Sequence, residues 1–264
     1  MQGKLIYSPS YKIYELDLAT RKQHQLIELN SSSHSISVID DLLLLIGTDA
    51  DASSKIQEFD TSRLTFRTVT EGYRPMYMQA HHKFFYFAGD LYLIELNGPV
   101  QSPRKVAEGE FSYAHAIPVS DDEVVFPIVS DAGHTPPYRY NLVTDKLERL
   151  PFNRQCTSYV WRSASKQLLC GIDGTYEYYL IGLDGQQSVP VDLSGLPNKA
   201  PVPLLYIPKY DVLILNVARV AWVDSRPDER FDLWAYSFKD KHSELLVEGT
   251  APGRGAIVWV EKGP

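Results

Sequence analysis

The chain has 264 residues, enough for one all-β domain or two smaller ones, and its 44% hydrophobic and 22% charged content is that of a globular protein with a buried core. Its 26 Lys and Arg against 33 Asp and Glu give a net charge of −7, which leaves no broad basic surface for phosphate contacts and argues against a nucleic-acid partner. Apolar runs such as Leu42 to Ile46 fall far short of the roughly 20 residues that span a bilayer, so no membrane insertion is expected.

The first element is a short strand, Lys4 to Tyr7. Because Met1-Gln2-Gly3-Lys4 runs straight into it, with no leader-like segment, the cytoplasm is the expected compartment. A hexad with strand alternation follows, Ile13 to Leu18, and a turn at Leu18 to Lys22 leads to a second strand at His24 to Ile27.

The same unit then recurs, each time preceded by a more apolar hairpin. Ser35 to Ile39 pairs with Leu42 to Gly47 across Asp40-Asp41, ahead of the hexad Ile56 to Thr61 and the strand Phe66 to Val69. Met76 to Ala80 pairs with Phe84 to Ala88 across His81-His82-Lys83, ahead of Leu91 to Leu96. Tyr113 to Val119 pairs with Glu123 to Val129, ahead of Pro137 to Leu142 and Leu147 to Leu150. Thr157 to Arg162 pairs with Gln167 to Gly171, ahead of Tyr178 to Leu183. Val202 to Ile207 pairs with Val212 to Val217, ahead of Leu233 to Phe238 and Glu244 to Val247. The last element is an unpaired strand, Ala256 to Val260.

The hexads begin 43, 35, 46, 41 and 55 residues apart. Short strands repeated at roughly 40–50 residues are the mark of a propeller-type array. No segment sustains a helical period, so helices should be nearly absent. Asp, Asn, Gly, Ser and Thr in the hairpin turns suit local backbone hydrogen bonding. Runs such as Leu42 to Ile46 suit sheets packed on both faces. The first hexad has one strand before it and the last unit has one strand after it. Together these two complete the first blade and hide the edges that an open ring would expose. The predicted fold class is therefore all-β: a single six-bladed β-propeller domain over residues 1–264, with four antiparallel strands per blade.

Asp224-Ser225-Arg226-Pro227-Asp228-Glu229-Arg230-Phe231-Asp232-Leu233-Trp234 resembles the degenerate repeat of the six-bladed TolB-like propeller group, roughly Ser-Asp-Arg-Asp-Gly-x-x-Asp-Ile-Tyr-x-x-Asp. Gly89-Asp90-Leu91-Tyr92 and Tyr7 to Tyr14 are shorter versions, and Ser130-Asp131 and Ile172-Asp173-Gly174 are fragments. The resemblance covers most of the chain. It implies the fold, and it implies function only broadly, since such propellers serve as binding platforms, as enzyme appendages and as enzymes.

In a propeller, the loops between second and third strands and the segments entering each innermost strand share one face. Here the loops are Gly47 to Lys55, Val129 to Pro137, Gly171 to Glu177 and Ala218 to Phe231. The longest holds Arg219, Trp222, Asp224, Arg226 and Arg230, a set suited to clamping a polar or sugar-like ligand. His34, His115 and His134 lie on the same face, although a metal site would need three ligands meeting at one point. The residues expected along the innermost strands include no carboxylate ring of the calcium type. Arg74 and Arg254 each precede an innermost strand, with Tyr73, Tyr113 and Tyr159 at similar positions. They either hold an anionic or polar group at the channel mouth or fill the channel and bond neighbouring carbonyls. The His81-His82 turn belongs to the opposite face and reads as structural.

No Gly-x-Ser-x-Gly elbow, Walker sequence, Rossmann fingerprint or zinc-type Cys/His array occurs. No catalytic residue, metal or cofactor is assigned. Cys156 and Cys170 are too few for a disulfide scaffold and read as buried free thiols rather than a bridge. The function expected is a non-enzymatic binding module that presents its loop-rich face to a protein or polar small ligand. The alternatives are a propeller lyase or hydrolase acting on a sugar or lactone at the channel mouth, and an interaction subunit of a larger assembly.

Overall fold

Each of the six hexads forms the third strand of a four-stranded antiparallel sheet. A computed structural model describes residues 1–50, 53–96, 102–108, 116–130, 133–152, 156, 158–172, 177–185, 188–193, 195–196, 201–218, 231–249, 252 and 256–261. The first blade takes β1 (Lys4–Tyr7), β2 (Lys12–Asp17) and β3 (Gln23–Glu28). The second has β4 (Ser32–Val38), β5 (Leu43–Ala50), β6 (Ser53–Asp60) and β7 (Thr65–Glu71). The third has β8 (Tyr73–Met78), β9 (Lys83–Ala88), β10 (Asp90–Glu95) and β11 (Arg104–Ala107). The fourth has β12 (Ile117–Pro118), β13 (Glu123–Ser130), β14 (Gly133–Asn141) and β15 (Lys146–Arg149). The fifth has β16 (Ser158–Arg162), β17 (Gln167–Ile172), β18 (Glu177–Gly182) and β19 (Ser188–Pro190). The sixth has β20 (Val202–Ile207), β21 (Val212–Ala218), β22 (Phe231–Ser237) and β23 (His242–Val247). The final strand, β24 (Ile257–Val260), returns to the first blade and pairs with β1, Lys4 opposite Val260 and Tyr7 opposite Ile257. The protein is a six-bladed propeller closed by its own terminal strands.

The hexads repeat in three dimensions as they do in sequence. Their first and fourth residues are buried in all six blades: Ile13 and Leu16, Ile56 and Phe59, Leu91 and Ile94, Pro137 and Tyr140, Tyr178 and Ile181, Leu233 and Tyr236. The buried apolar side chains of the described residues fall into six clusters, and each cluster straddles two neighbouring blades. One joins Tyr7 and Leu16 of the first blade to Ile214 and Leu233 of the sixth. The next joins Ile13 to Ile46 and Phe59 of the second blade. The others link second to third, third to fourth, fourth to fifth and fifth to sixth. A ring results because no sheet can bury both of its faces without a neighbour on each side.

The outer turns have a common design. Asp17 Oδ1 accepts the backbone N–H groups of Ala19 and Thr20, Asp60 Oδ1 those of Ser62 and Arg63, and Asn141 Oδ1 those of Val143 and Thr144, all at 2.8–3.0 Å. Four residues after each acceptor the chain turns left-handed, at Arg21, Leu64 and Asp145, and the sixth blade repeats the step at Lys241. Helix among the described residues is confined to two short 3-10 turns, Gln79–His81 and Pro208–Tyr210. No helix among them is long and apolar enough to cross a membrane.

One expectation needs correction. Cys156 and Cys170 are not free thiols; they form a disulfide, with Cα atoms 5.4 Å apart and both side chains buried. Cys170 faces Tyr159 across the β16–β17 pair, so the residue three before Tyr159 returns over the same strand. The sequence separation of 14 does not reveal that proximity.

Candidate functional site

The loops at one end of the ring form a bonded rim. Ser8 N–H donates to the carbonyl of Ala256, at the entry to the innermost strand β24, at 2.9 Å. The carbonyl of Ser10 accepts from Ser33 N–H at 2.8 Å, at the entry to β4, and from the Ser8 hydroxyl at 3.1 Å. Gly72 N–H, just before β8, donates to Ser54 of the preceding blade at 2.8 Å. Tyr178 donates its phenol to the carbonyl of Pro201, and Asn216 donates its side-chain amide to that of Pro252 at 3.1 Å. Second-to-third-strand loops and innermost-strand entries therefore do share one face, as the repeat requires.

At this end, where the second and third blades meet, a small cluster is built around Arg74. The β8–β9 register jumps between Tyr73, opposite Phe87, and Met76, opposite Phe85, so Arg74 and Pro75 form a bulge. Bulges bend a strand and redirect its side chains. Arg74 adopts φ of 55° immediately before a proline. Left-handed backbone costs an L-residue roughly 1–2 kcal/mol. The other positive-φ residues that are not glycine all sit in hairpin connections, among the described residues. Tyr73 stacks on Phe87 with centroids 6.0 Å apart and meets the His34 ring edge-on at 6.5 Å. His34 Nδ1 lies 3.2 Å from the Ser35 hydroxyl. Gly47 permits this close packing: a Cβ there would collide with the Ser35 hydroxyl, sit 2.6 Å from His34 Cε1 and lie 3.2 Å from the backbone nitrogen of Arg74.

Of the residues singled out from sequence, Arg74, His34, Tyr73 and Tyr159 are described. The first three converge on one seam. Tyr159 instead lies against Phe152 in the core between the fourth and fifth blades, with centroids 6.4 Å apart, and burial pushes its phenol well above the ordinary range. The backbone of His134 lies in β14 opposite Val129, and its side chain is outside the described residues. Tyr113, His115, Arg219, Trp222, Asp224, Arg226 and Arg254 also lie outside the described residues. The long loop that carries four of them has a defined base: Ala218 pairs with Phe231 and Val217 with Asp232, and Asp232 Oδ1 accepts Gly249 N–H at 2.8 Å. Trp234, two residues on, packs against the core between the fifth and sixth blades. The His81-His82 turn is at the opposite end, where His81 Nε2 lies 2.7 Å from Asp122 of the next blade.

Two participants escaped sequence reasoning. Gly47 is expected at the end of the strand Leu42 to Gly47 and does lie in β5, but nothing in the sequence marks its close approach to His34 and Ser35. Asn216 interrupts the apolar strand Val212–Ala218; it is buried, and its Oδ1 has no hydrogen-bond partner among the described residues. A polar residue inside an apolar run was the available signal for it.

The chain is similar in fold to several solved structures. TolB from Acinetobacter baumannii matches with TM-score 0.74 and 13% identity over 98% of this chain and 67% of that one. A chain of a nidogen/laminin complex matches with TM-score 0.72 and 9% identity over 96% of this chain and 97% of its own length. A TolB-type protein from Agrobacterium tumefaciens matches with TM-score 0.69 and 11% identity over 98% and 97%. No protein-family model matches the chain, and no curated protein matches it by sequence. The resemblance to TolB-like propellers is one of fold.

Proposed function

We propose that this protein is a non-enzymatic binding module whose loop-rich face, over the central channel, receives a protein or a polar small ligand. The observation that carries the reading is the bonded rim: Ser8, Ser10, Ser33 and Ala256 tie the entry segments of two blades to one loop, which makes that end a preorganised platform. Preorganised platforms lose little freedom on binding. The fold neighbour from a nidogen/laminin complex supports a protein partner, since that structure is by its title an assembly of proteins.

Affinity capture with the wild-type chain and with a variant lacking residues 219–229 tests this. Loss of partners from the shortened chain is the expected result. Equal recovery of every partner by both would remove the long loop from recognition.

The Cys156–Cys170 bond supports an oxidising compartment rather than the cytoplasm expected from sequence, because reducing compartments keep thiols apart. Thiol alkylation in cells before lysis tests that: blocked cysteines expected, freely alkylated ones against.

A further inference from the structure

We propose that Asn30 is an acceptor for an N-linked oligosaccharide, at the loop-rich end of the ring where the first blade passes into the second. This rests on the reading above that the chain matures in an oxidising compartment, and it names a modification received there.

The sequence supplies the acceptor. Asn30-Ser31-Ser32 places a hydroxyl two residues after an asparagine, with no proline between them, which is the pattern that N-glycosyl transfer uses. The chain has six asparagines. The other five, Asn97, Asn141, Asn153, Asn198 and Asn216, have Pro99, Val143, Gln155, Ala200 and Ala218 at that spacing, so Asn30 alone carries the pattern.

The fold exposes it. A glycan is bulky and hydrated, so its asparagine must stand in a surface connection and not inside a strand. Asn30 is exposed and lies in the bend between β3, which ends at Glu28, and β4, which begins at Ser32. That bend is held from both sides. Leu29 N–H donates to the Tyr11 carbonyl at 2.6 Å, and Ser33 N–H donates to the Ser10 carbonyl at 2.8 Å. Both bonds are made by the main chain flanking Asn30, so a substituent on its amide nitrogen breaks neither.

The Cys156–Cys170 bond is an independent observation in the same direction. It places the chain where disulfides form, and the secretory lumen, one such compartment, is where exposed acceptors of this pattern are modified. The transfer joins Asn30 Nδ2 to the anomeric carbon of an oligosaccharide carried on a lipid diphosphate. The bond from that carbon to the phosphate oxygen breaks, the lipid diphosphate leaves, and the amide proton passes to solvent.

Mass spectrometry of the protein isolated from the cells that make it tests this. The peptide carrying Asn30 should be heavier than its sequence by an oligosaccharide. Peptide-N-glycosidase in heavy-oxygen water should remove the addition and leave a labelled aspartate in its place. Ser32→Ala keeps the backbone pairing with Asp49 and should abolish the addition, while Ser31→Ala should leave it in full. Asn30→Gln should abolish it as well, with little change in melting temperature, since the position is exposed. A bare Asn30 in protein whose cysteines are bonded overturns the proposal and leaves the oxidising compartment standing. An addition that persists in Ser32→Ala overturns it too. Freely alkylated cysteines would remove the compartment and the modification together, so the two failures are distinguishable.

Discussion

Arg162 of the fifth blade grips Asp211 of the sixth, with Nη2 2.8 Å from each carboxylate oxygen and Nε 3.0 Å from Oδ1. Tyr206 donates its phenol to the same oxygen at 2.8 Å, and the guanidinium lies over Phe238, 4.3 Å from the ring centroid. The pair sits at the end of the channel opposite the rim. It joins the last residue of β16 to the left-handed residue that closes the turn before β21. With 17% and 28% side-chain exposure, it is shielded enough to count for more than a surface ion pair.

Asp211→Asn keeps a residue that tolerates φ of 51° and removes the charge. The expected cost is about 2 kcal/mol at neutral pH, read from urea unfolding. Its pH dependence is fixed in sign. Burial pushes the Asp211 carboxyl up, but Arg162 and Tyr206 outweigh it and hold it below the ordinary carboxylate value. A carboxylate depressed in the folded state stabilises above its unfolded pKa and loses that contribution as pH falls through the folded one. The gap between wild type and Asp211→Asn should therefore be full at neutral pH and shrink below about pH 4. A constant gap would mean the pair is not electrostatic in origin.

Ring closure rests on a glycine. Gly3 has φ of 99°, and a Cβ there would lie 2.6 Å from Trp259 Nε1 and 2.9 Å from the Val260 carbonyl. Gly3→Ala should cost about 2–4 kcal/mol by combining a strained dihedral with a clash against the closing strand. Differential scanning calorimetry reads the loss, and hydrogen exchange should show it first in β1 and β24. Uniform loss across all six blades would indicate that the ring melts as one unit.

The fold was legible because each hexad carries its own period-2 pattern and its own turn chemistry. Ile13, Asp17 and Arg21 predict a hairpin without reference to the rest of the chain. Closure was legible because Lys4 to Tyr7 and Ala256 to Val260 each lacked a partner. The site was less legible because it depends on dihedrals and on distances between blades. Arg74 could be placed at the entry of an innermost strand from sequence, but its bulge and left-handed backbone are set by the β8–β9 register, which the sequence does not show. Gly47 gives no hint that it faces His34. The disulfide was missed for the same reason: Cys156 precedes its strand and meets Cys170 only once the chain turns back over β17.

The disulfide itself is open to direct test. An intact mass short of two hydrogens, from protein purified without reductant, is expected. The double variant Cys156→Ala/Cys170→Ala should lose about 3 kcal/mol, the loop-closure contribution for a loop near this length, unless packing in the core between the fourth and fifth blades compensates. Two alkylatable thiols in the native protein would restore the free-thiol reading.

Leu64 and Gly185 make opposite predictions from related hairpin turns. Leu64 holds φ of 56° with its side chain 46% exposed, so its strain is not repaid by burial. Its N–H donates to the Asp60 carbonyl at 2.8 Å, a bond that any residue but proline retains. Leu64→Gly should therefore stabilise by about 0.5–1 kcal/mol, the left-handed strain less the extra chain entropy of glycine. Gly185, at φ of 73° in the fifth blade, packs against the Pro151 carbonyl group, whose carbon a Cβ would approach to 3.0 Å. Gly185→Ala should cost about 2 kcal/mol or more. Paired urea titrations check both. Equal and small effects would mean that the turns relax around either substitution and that the left-handed residues do not set the hairpin geometry.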